Sequence, residues 1–215
     1  MTQNWFENLY AKAQGDSNQV PWANMTVNAY LKDWLNQNPQ LEKNLNGLKA
    51  LVVGCGLGDD AEALAEYGFD VTAFDISPTA INWCISRFPH SSVNYLVADL
   101  FDLNQEWQQN FDFVFESRTI QSLPLTVRQQ AMTAIAQLVA HNGTLLVVTA
   151  TRDTPEEPSG PPYPLSLEEI DYFTKLGLQE IRRDAFTEKN NRLPKRLRIE
   201  YSFKSRIKIS STPPY

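Results

Sequence analysis

Carboxylate side chains stand where two apolar runs of the sequence end, and a glycine-rich turn precedes both. The turn spans residues 54–58 and follows "KALVV", Asp75 ends "DVTAFD", and Asp99 follows "VNYLVA". Glycine lets a backbone turn tightly and approach a ligand closely, and a carboxylate at a strand end can accept hydrogen bonds from sugar hydroxyls. A carboxylate at the neighbouring strand end can accept from the exocyclic amine of a purine, while Ile76 and Leu100 can cover the faces of its ring. The pattern therefore predicts an adenosine pocket.

The glycine spacing narrows the choice of ligand. The dinucleotide pattern is G-x-G-x-x-G, but here the third glycine, Gly58, comes one residue early and Asp59 stands where the pattern has glycine. An acidic residue at that point would face a pyrophosphate, so the turn favours a ligand without one. Each feature alone has a structural explanation, since glycine is usual in tight turns and an Asp after a strand is often a helix cap. The combination at successive strand ends makes the prediction specific.

The elements that must position these residues alternate between strands and helices, which predicts a mostly parallel sheet with helices on both faces. The chain then ends in one helix and two mutually antiparallel strands after a proline-rich stretch. The predicted strands are 49–53, 70–76, 93–98, 111–116, 143–150, 178–186 and 197–209, and the predicted helices are 23–37, 60–68, 77–88, 125–141 and 166–177. Ser77 as N-cap and Pro78 as the first helical residue support the third of these helices.

At residues 49–150 the chain resembles the class I S-adenosylmethionine-dependent methyltransferases. The motifs are "LVVGCGLGDDA", "VTAFDIS", "VADLFDL", "FDFVFESRTIQSLP" and "HNGTLLVVTA". The resemblance implies a doubly wound α/β sheet of seven strands in the order 3-2-1-4-5-7-6, the last strand antiparallel, with S-adenosyl-L-methionine as cofactor. The implied cofactor-binding residues are Trp22, Gly54, Cys55, Gly56, Gly58, Asp75, Ile76, Asp99, Leu100 and Glu116. Val53 departs from the acidic residue that many members carry before the first glycine.

A narrower resemblance links the chain to the thiopurine, thiol and halide methyltransferase group. It rests on "VPWANMTVNAYLKDWL", on "SGPPYPLSLEEID" and on "FESRTIQSLP". The resemblance implies methyl transfer to a small-molecule acceptor, with a thiol or another soft nucleophile as the favoured acceptor. Trp22 and Arg118 are candidate acceptor contacts. The proline-rich loop leaves the carboxyl end of strand five, so we expect it to overhang the pocket and Tyr163 to contact the acceptor.

Two residues after strand four are the catalytic candidates. Glu116 ends that strand, where it can position the cationic methionine end of the cofactor or act as a general base; alternatively, it is a structural carboxylate paired with Arg118. Arg118 can hold an anionic acceptor or stabilise a thiolate; alternatively, it forms a salt bridge at the rim. Trp22 can close over the cofactor as a lid or pack as a hydrophobic staple for the following helix. A thiol acceptor needs little base assistance because its thiolate is accessible near neutral pH.

Composition sets the remaining expectations. The 215 residues suffice for one domain, which we divide into an N-terminal cap (1–47), a catalytic core (48–209) and a frayed tail (210–215). No signal peptide, membrane span or metal-ligand spacing is apparent, so we expect a cytoplasmic protein without a metal. We also expect a monomer or a weak dimer. The net charge of −6 argues against nucleic-acid binding.

Residues 182–215 nevertheless hold ten Lys or Arg and three Asp or Glu, a net charge of +7. We interpret these charges as protection of exposed edge strands, with RNA methylation as the alternative. Two further hypotheses stay open: an NAD-dependent oxidoreductase, and a non-catalytic module that binds S-adenosylmethionine.

Overall fold

The computed structural model describes residues 2–39, 47–154, 156–186 and 195–203. Outside these ranges lie residues 187–194 between the last two predicted strands, the predicted strand end 204–209 and the predicted tail 210–215. The helices are α1 (Thr2–Ala13), α2 (Ala29–Gln37), α3 (Asp59–Tyr67), α4 (Pro78–Arg87), α5 (Thr119–Ser122), α6 (Leu125–Leu138), α7 (Leu167–Ile170) and α8 (Tyr172–Lys175). The strands are β1 (Lys49–Val53), β2 (Asp70–Asp75), β3 (Asn94–Val97), β4 (Phe111–Ser117), β5 (Val139–Ala150), β6 (Gln179–Phe186) and β7 (Arg196–Ser202).

All seven strands form one sheet in the order β3-β2-β1-β4-β5-β7-β6. The first five strands pair in parallel, while β7 lies antiparallel to both β5 and β6. This confirms the predicted strand order and the antiparallel last strand. Because the chain reverses its direction of winding between β1 and β4, the carboxyl ends of these strands border a crevice of the kind in which open α/β sheets bind ligands.

Alternate residues of the central strands pack into two separate cores. In β1, Leu51 and Val53 face the core beneath α5, α6 and α8, whereas Ala50 and Val52 face the core beneath α2 and α3. All four side chains are at most 3% exposed. Burial on both faces explains why the strand is a continuous apolar run rather than an alternating one.

The first part of the chain differs from the sequence prediction. The helix predicted over residues 23–37 begins only at Ala29, because the Asn28 side chain caps it by accepting from the backbone N–H of Tyr30 at 2.9 Å. A separate helix, α1, precedes it and was not predicted. Consequently the segment around Trp22 is an irregular connection between two helices rather than the start of one.

Two other predicted element boundaries differ from those of the structure. The helix predicted over 166–177 is divided at Asp171 into α7 and α8, after a capping box in which Ser166 and Glu169 satisfy each other's backbone N–H groups. Strand β5 begins at Val139 rather than at 143, with an irregularity in its pairing to β4 between Phe111 and Phe113.

A buried arginine joins α2 to the antiparallel end of the sheet. Arg198 of β7 is 2% exposed; it donates to the Tyr30 carbonyl oxygen at 2.8 Å and pairs with Asp33 at 2.9 Å and Asp184 at 2.8 Å. Charged hydrogen bonds of this kind hold the first turn of α2 in place. Among the helices of the described ranges, none has the length and apolar character needed to cross a membrane.

Candidate active site

A cavity of about 550 Å³ lies at the carboxyl ends of β1, β2, β3 and β4. Of the residues predicted from the sequence, those that line it are Trp22, Gly54, Cys55, Gly56, Asp75, Ile76, Asp99, Leu100 and Arg118. Gly58, Glu116 and Tyr163 are not part of its lining. The lining residues that sequence reasoning missed include Phe6, Tyr10, Asn28, Tyr30, Asp60, Ser117 and Thr119.

The glycine turn brings backbone, rather than side chains, to the cavity. Gly54 and Gly56 have φ of +61° and +56°, in the left-handed region. A Cβ on Gly54 would overlap the hydroxyl oxygen of Thr119, and one on Gly56 would lie 3.3 Å from the Tyr10 hydroxyl oxygen. Gly58 instead serves as the N-cap of α3, and a Cβ there would meet the Tyr95 hydroxyl oxygen at 2.6 Å.

Asp75 is held by the turn on one side and by α4 on the other. One carboxylate oxygen accepts from the Gly56 N–H and the other from the Ser77 N–H, each at 3.0 Å. The residue is 7% exposed, and burial raises the pKa of Asp75 to about 6 although these backbone hydrogen bonds oppose the shift. The two carboxylate oxygens have further lone pairs with which they can accept from the hydroxyl groups of a sugar.

Asp99 follows β3, the strand beside β2. Its carboxylate oxygen accepts from the Phe101 N–H at 2.9 Å, which shapes the turn after the strand. Leu100 lies next to it and Ile76 follows Asp75; both residues line the cavity. The structure therefore brings together Asp75, Asp99 and the two apolar residues, which were predicted to form one pocket.

Glu116 is fully buried and lies apart from the cavity lining. One of its carboxylate oxygens accepts from the Ile120 N–H at 3.0 Å, and the other has no partner within the described part of the chain. Burial raises the pKa of Glu116 to about 7, with the backbone N–H groups of Ile120 and Thr119 opposing the shift. In this position, the Glu116 side chain holds the first turn of α5.

Arg118 lines the cavity at the start of α5 with φ of +70°. Its guanidinium donates to the Trp22 carbonyl oxygen at 3.0 Å, so it ties the irregular N-terminal segment to the end of β4. Trp22 in turn donates from its indole nitrogen to the Tyr10 hydroxyl oxygen at 2.7 Å. The ring of Trp22 packs against Trp5 and Phe6, with ring centroids 5.8 and 5.9 Å away.

Two further polar residues connect α2 and α3 at the cavity. The Asn28 N–H donates to an Asp60 carboxylate oxygen at 2.6 Å, and the Asn28 side chain donates to the Ser117 hydroxyl at 2.9 Å. Burial raises the pKa of Asp60 to about 6 against the lowering effect of the Asn28 hydrogen bond. The position of Asp60 in the first turn of a helix was visible in the sequence, but the sequence did not indicate that Asn28 would pack against it.

Tyr163 is anchored away from the cavity, on the side of α6. Its N–H donates to the Gln121 carbonyl oxygen at 2.6 Å, its carbonyl oxygen accepts from Arg128, and its ring lies 5.7 Å from the Arg128 guanidinium carbon. Arg128 also pairs with Glu169 at 2.6 Å. These contacts explain why the proline-rich loop turns back over α6 after β5.

An adenosyl group fits the residues that are present. The turn lacks side chains where Gly54 and Gly56 face the cavity, Asp75 and Asp99 offer acceptor oxygens, and the volume of about 550 Å³ suits a small organic ligand. Among the described residues no group of three or more His, Cys, Asp or Glu side chains is placed to hold a metal ion. Fold and site together define a class I methyltransferase.

Comparison with known proteins identifies the family. The sequence model of the thiopurine S-methyltransferase family matches residues 12–200. The chain belongs to this family.

Individual relatives are also named as methyltransferases. The probable thiol methyltransferase 2 of Arabidopsis thaliana is 30% identical over 138 residues, covering 62% of this chain and 59% of that protein. The ubiquinone biosynthesis O-methyltransferase of Xanthomonas campestris pv. campestris is 34% identical over 110 residues, covering 50% of this chain and 45% of that protein. The chain thus spans about half the length of these relatives.

The fold is also found among solved structures. The N-methyltransferase NodS of Bradyrhizobium japonicum, in complex with S-adenosylhomocysteine, matches with a TM-score of 0.71 at 19% identity. The match covers 95% of this chain and 99% of that chain. At 19% identity this similarity shows a shared fold.

Proposed function

We propose that the protein transfers the methyl group of S-adenosylmethionine to the sulfur atom of a small-molecule thiol. The observation that carries the proposal is the match of the thiopurine S-methyltransferase family to residues 12–200, a range that includes most of the cavity lining. The relative that is named a probable thiol methyltransferase supports the same acceptor atom.

Residues on β1, β2 and β3 hold the cofactor in this proposal. Asp75 accepts from the ribose hydroxyls, Asp99 accepts from the adenine amine, and Ile76 and Leu100 cover the two faces of the base. Residues 54–56 supply backbone close to the ligand, and Trp22 covers it. When bound, the cofactor supplies a methyl group that its sulfonium already activates.

The remaining residues of the cavity then have to align the acceptor and exclude water. Arg118, next to Trp22, holds an anionic acceptor or stabilises its thiolate. Asp60 can accept the thiol proton, because a carboxylate with a pKa of about 6 is largely ionised at neutral pH. Glu116 acts as a positioning residue through α5, and Tyr163 acts through the loop that it anchors beside α6.

The test is a methyl-transfer assay with acceptors that differ in one atom. Purified protein is incubated with S-adenosylmethionine and either thiophenol or phenol, and the methylated product is measured by mass spectrometry. We expect protein-dependent methylation of thiophenol and at least about tenfold less of phenol, because the thiolate is the form present near neutral pH.

Arg118→Lys serves as the site variant and is expected to lower the rate with thiophenol, because lysine does not reproduce the planar fork of donors. Methylation of phenol alone would move the proposal to an oxygen acceptor, as in the O-methyltransferase relative. Binding of S-adenosylhomocysteine without transfer to either acceptor would contradict the proposed acceptor class.

A further inference from the structure

The hydroxyl group of Tyr10 is buried at the cavity, and its own proton has no protein acceptor among the described residues. Tyr10 is 2% exposed and lines the cavity. Its oxygen accepts a hydrogen bond from the Trp22 indole N–H at 2.7 Å. A buried hydroxyl normally finds an acceptor for its proton. The unpaired donor therefore indicates a hydrogen bond that forms with a ligand.

The position of Tyr10 shows which part of a ligand it meets. Its oxygen would lie 3.3 Å from a Cβ on Gly56, so it faces the open side of the glycine turn. Trp22 also links Tyr10 to Arg118, because the Arg118 guanidinium donates to the Trp22 carbonyl oxygen at 3.0 Å. The Tyr10 hydroxyl and the Arg118 guanidinium, which both line the cavity, are thus linked through one residue.

Most of the charged residues that line the cavity are acidic. They are Asp59, Asp60, Asp75 and Asp99, whereas Arg118 and Arg196 are the basic lining residues. Carboxylates suit the hydroxyl groups and amines of the cofactor, and they repel its carboxylate. The one anionic group of the cofactor is therefore best placed beside an uncharged donor or a basic residue, and Tyr10 and Arg118, both linked to Trp22, offer these.

Tyr10 keeps its proton throughout the working range of pH. Burial, together with the nearby Asp75 carboxylate, raises the pKa of Tyr10 well above its ordinary value. A neutral phenol beside an anion acts as a donor in a charge-assisted hydrogen bond, the stronger kind.

Helix α1 holds Tyr10 rigidly in this position. Glu7 of α1 accepts from the Ser77 hydroxyl at 2.6 Å and from both the hydroxyl and the backbone N–H of Thr79, at 2.6 and 3.2 Å. Both partners lie at the N-terminus of α4, shortly after Asp75. Tyr10 precedes residue 12, where the family match begins, so the family assignment does not include it.

We propose that the Tyr10 hydroxyl donates a hydrogen bond to the carboxylate of the cofactor's amino-acid part, and that Tyr10 is a cofactor-binding residue. The inference rests on the proposed function, because it takes S-adenosylmethionine as the ligand of the cavity.

Titration calorimetry with two ligands tests it. S-Adenosylhomocysteine carries the carboxylate, and S-adenosyl-3-thiopropylamine is the same molecule without it. We expect Tyr10→Phe to weaken S-adenosylhomocysteine about tenfold, the scale of a hydrogen bond to a charged group, and to change the affinity for the second ligand by less than about twofold.

Tyr67→Phe is the matched control, because the Tyr67 hydroxyl donates to the Leu35 carbonyl oxygen at 2.9 Å outside the cavity lining. It should change neither affinity. Thermal unfolding shows whether each variant is folded. If Tyr10→Phe does not fold, Tyr10→Met, with its flexible apolar side chain, takes its place in the same comparison.

Equal weakening of both ligands, or of neither, by the Tyr10 variants would overturn the inference while leaving the cofactor assignment intact. Equal affinity of the unmodified protein for the two ligands would overturn it as well. Failure of the unmodified protein to bind S-adenosylhomocysteine would instead contradict the proposed function.

Discussion

At the scale of single residues, Glu116 shows how burial and protonation are linked. Its folded pKa of about 7 lies above the ordinary value of 4.5 because burial disfavours the charged form. The folded protein therefore holds a proton that the unfolded chain releases as pH rises above about 4.5. Its contribution to stability is complete below that pH and is lost as pH rises through about 7.

Glu116→Gln replaces the protonated carboxyl by a neutral group of the same shape. The free energy of unfolding of the variant, relative to the unmodified protein, should rise by about 3 kcal/mol between pH 4 and pH 8, the upper limit for a shift of this size. Urea denaturation at several pH values measures it. The same change at exposed Glu168 is the control, and a difference that stays constant with pH would refute the account.

Gly54 carries the second prediction at this scale. Gly54→Ala should lower the free energy of unfolding by about 2 kcal/mol, because φ of +61° is unfavourable for alanine and its Cβ would overlap Thr119. Gly160→Ala, where a Cβ would meet nothing within 4 Å, should change it by less than about 0.5 kcal/mol. Thermal and urea unfolding of the two variants compares them, and equal stability would contradict the strain at Gly54.

The sequence placed Asp75 and Asp99 at the edge of the sheet where the cavity lies, because the end of a parallel strand fixes which edge a residue occupies. It did not locate Glu116 with respect to the cavity, because that depends on which face of β4 the side chain takes. In β4, Phe113 and Phe115 face the core of α2 and α3, and Val114 faces the other core. A strand that is apolar on both faces carries no alternation from which the face can be deduced.

At the scale of elements, the contact between α1 and α4 controls one wall of the cavity. Glu7 serves as a cap for the N-terminus of α4 from outside the helix, in addition to the Ser77 side chain that accepts from the Ala80 N–H at 3.0 Å. Its hydrogen bonds with Ser77 and Thr79 lower the pKa of Glu7 against the opposing effect of burial. The carboxylate is therefore the form that holds α1 in place.

Glu7→Gln should loosen α1 at a cost of about 1 kcal/mol, the usual scale of a lost helix cap. Hydrogen exchange measured by mass spectrometry should become faster in peptides from α1, with little change in peptides from α6. Glu66→Gln, at an exposed position of α3, is the control. Unchanged exchange in α1 would show that its aromatic packing suffices to hold it.

Helix α1 could have been predicted from its sequence. Phe6, Leu9, Tyr10 and Ala13 recur at helical spacing, and three of them contribute to a small core with Leu57 and Ala80. Nothing in the sequence specified that this helix would pack on α4, because that contact joins residues about 70 positions apart. The same limit applies to Asn28, whose partners Asp60 and Ser117 are distant in the chain.

At the scale of the whole molecule, most of the described residues of the basic C-terminal segment belong to strands of the sheet. Arg183 on the edge strand β6 pairs with Asp171 and Glu180. Arg198 is instead buried on the inner strand β7. The net charge of this segment was therefore a poor guide to its role, since one of its cations holds α2 against the sheet.

The order of the strands came from the family resemblance, while periodicity supplied the elements themselves. Local signals such as Ser77 and Pro78 fixed the start of α4 correctly. The loop before α7 was expected to overhang the cavity, but ion pairs among Arg128, Arg152 and Glu169 hold it beside α6. Such long-range pairs have no signature in a single sequence.

The central claim is that the cavity at the ends of β1, β2 and β3 binds the cofactor through Asp75. Titration calorimetry with S-adenosylhomocysteine on the unmodified protein and on Asp75→Ala tests it most directly. We expect micromolar binding, about −8 kcal/mol, and a loss of about 1–3 kcal/mol in the variant, because the ribose hydroxyls lose a charged acceptor. Equal affinity of the two proteins, or no binding by the unmodified one, would contradict the claim.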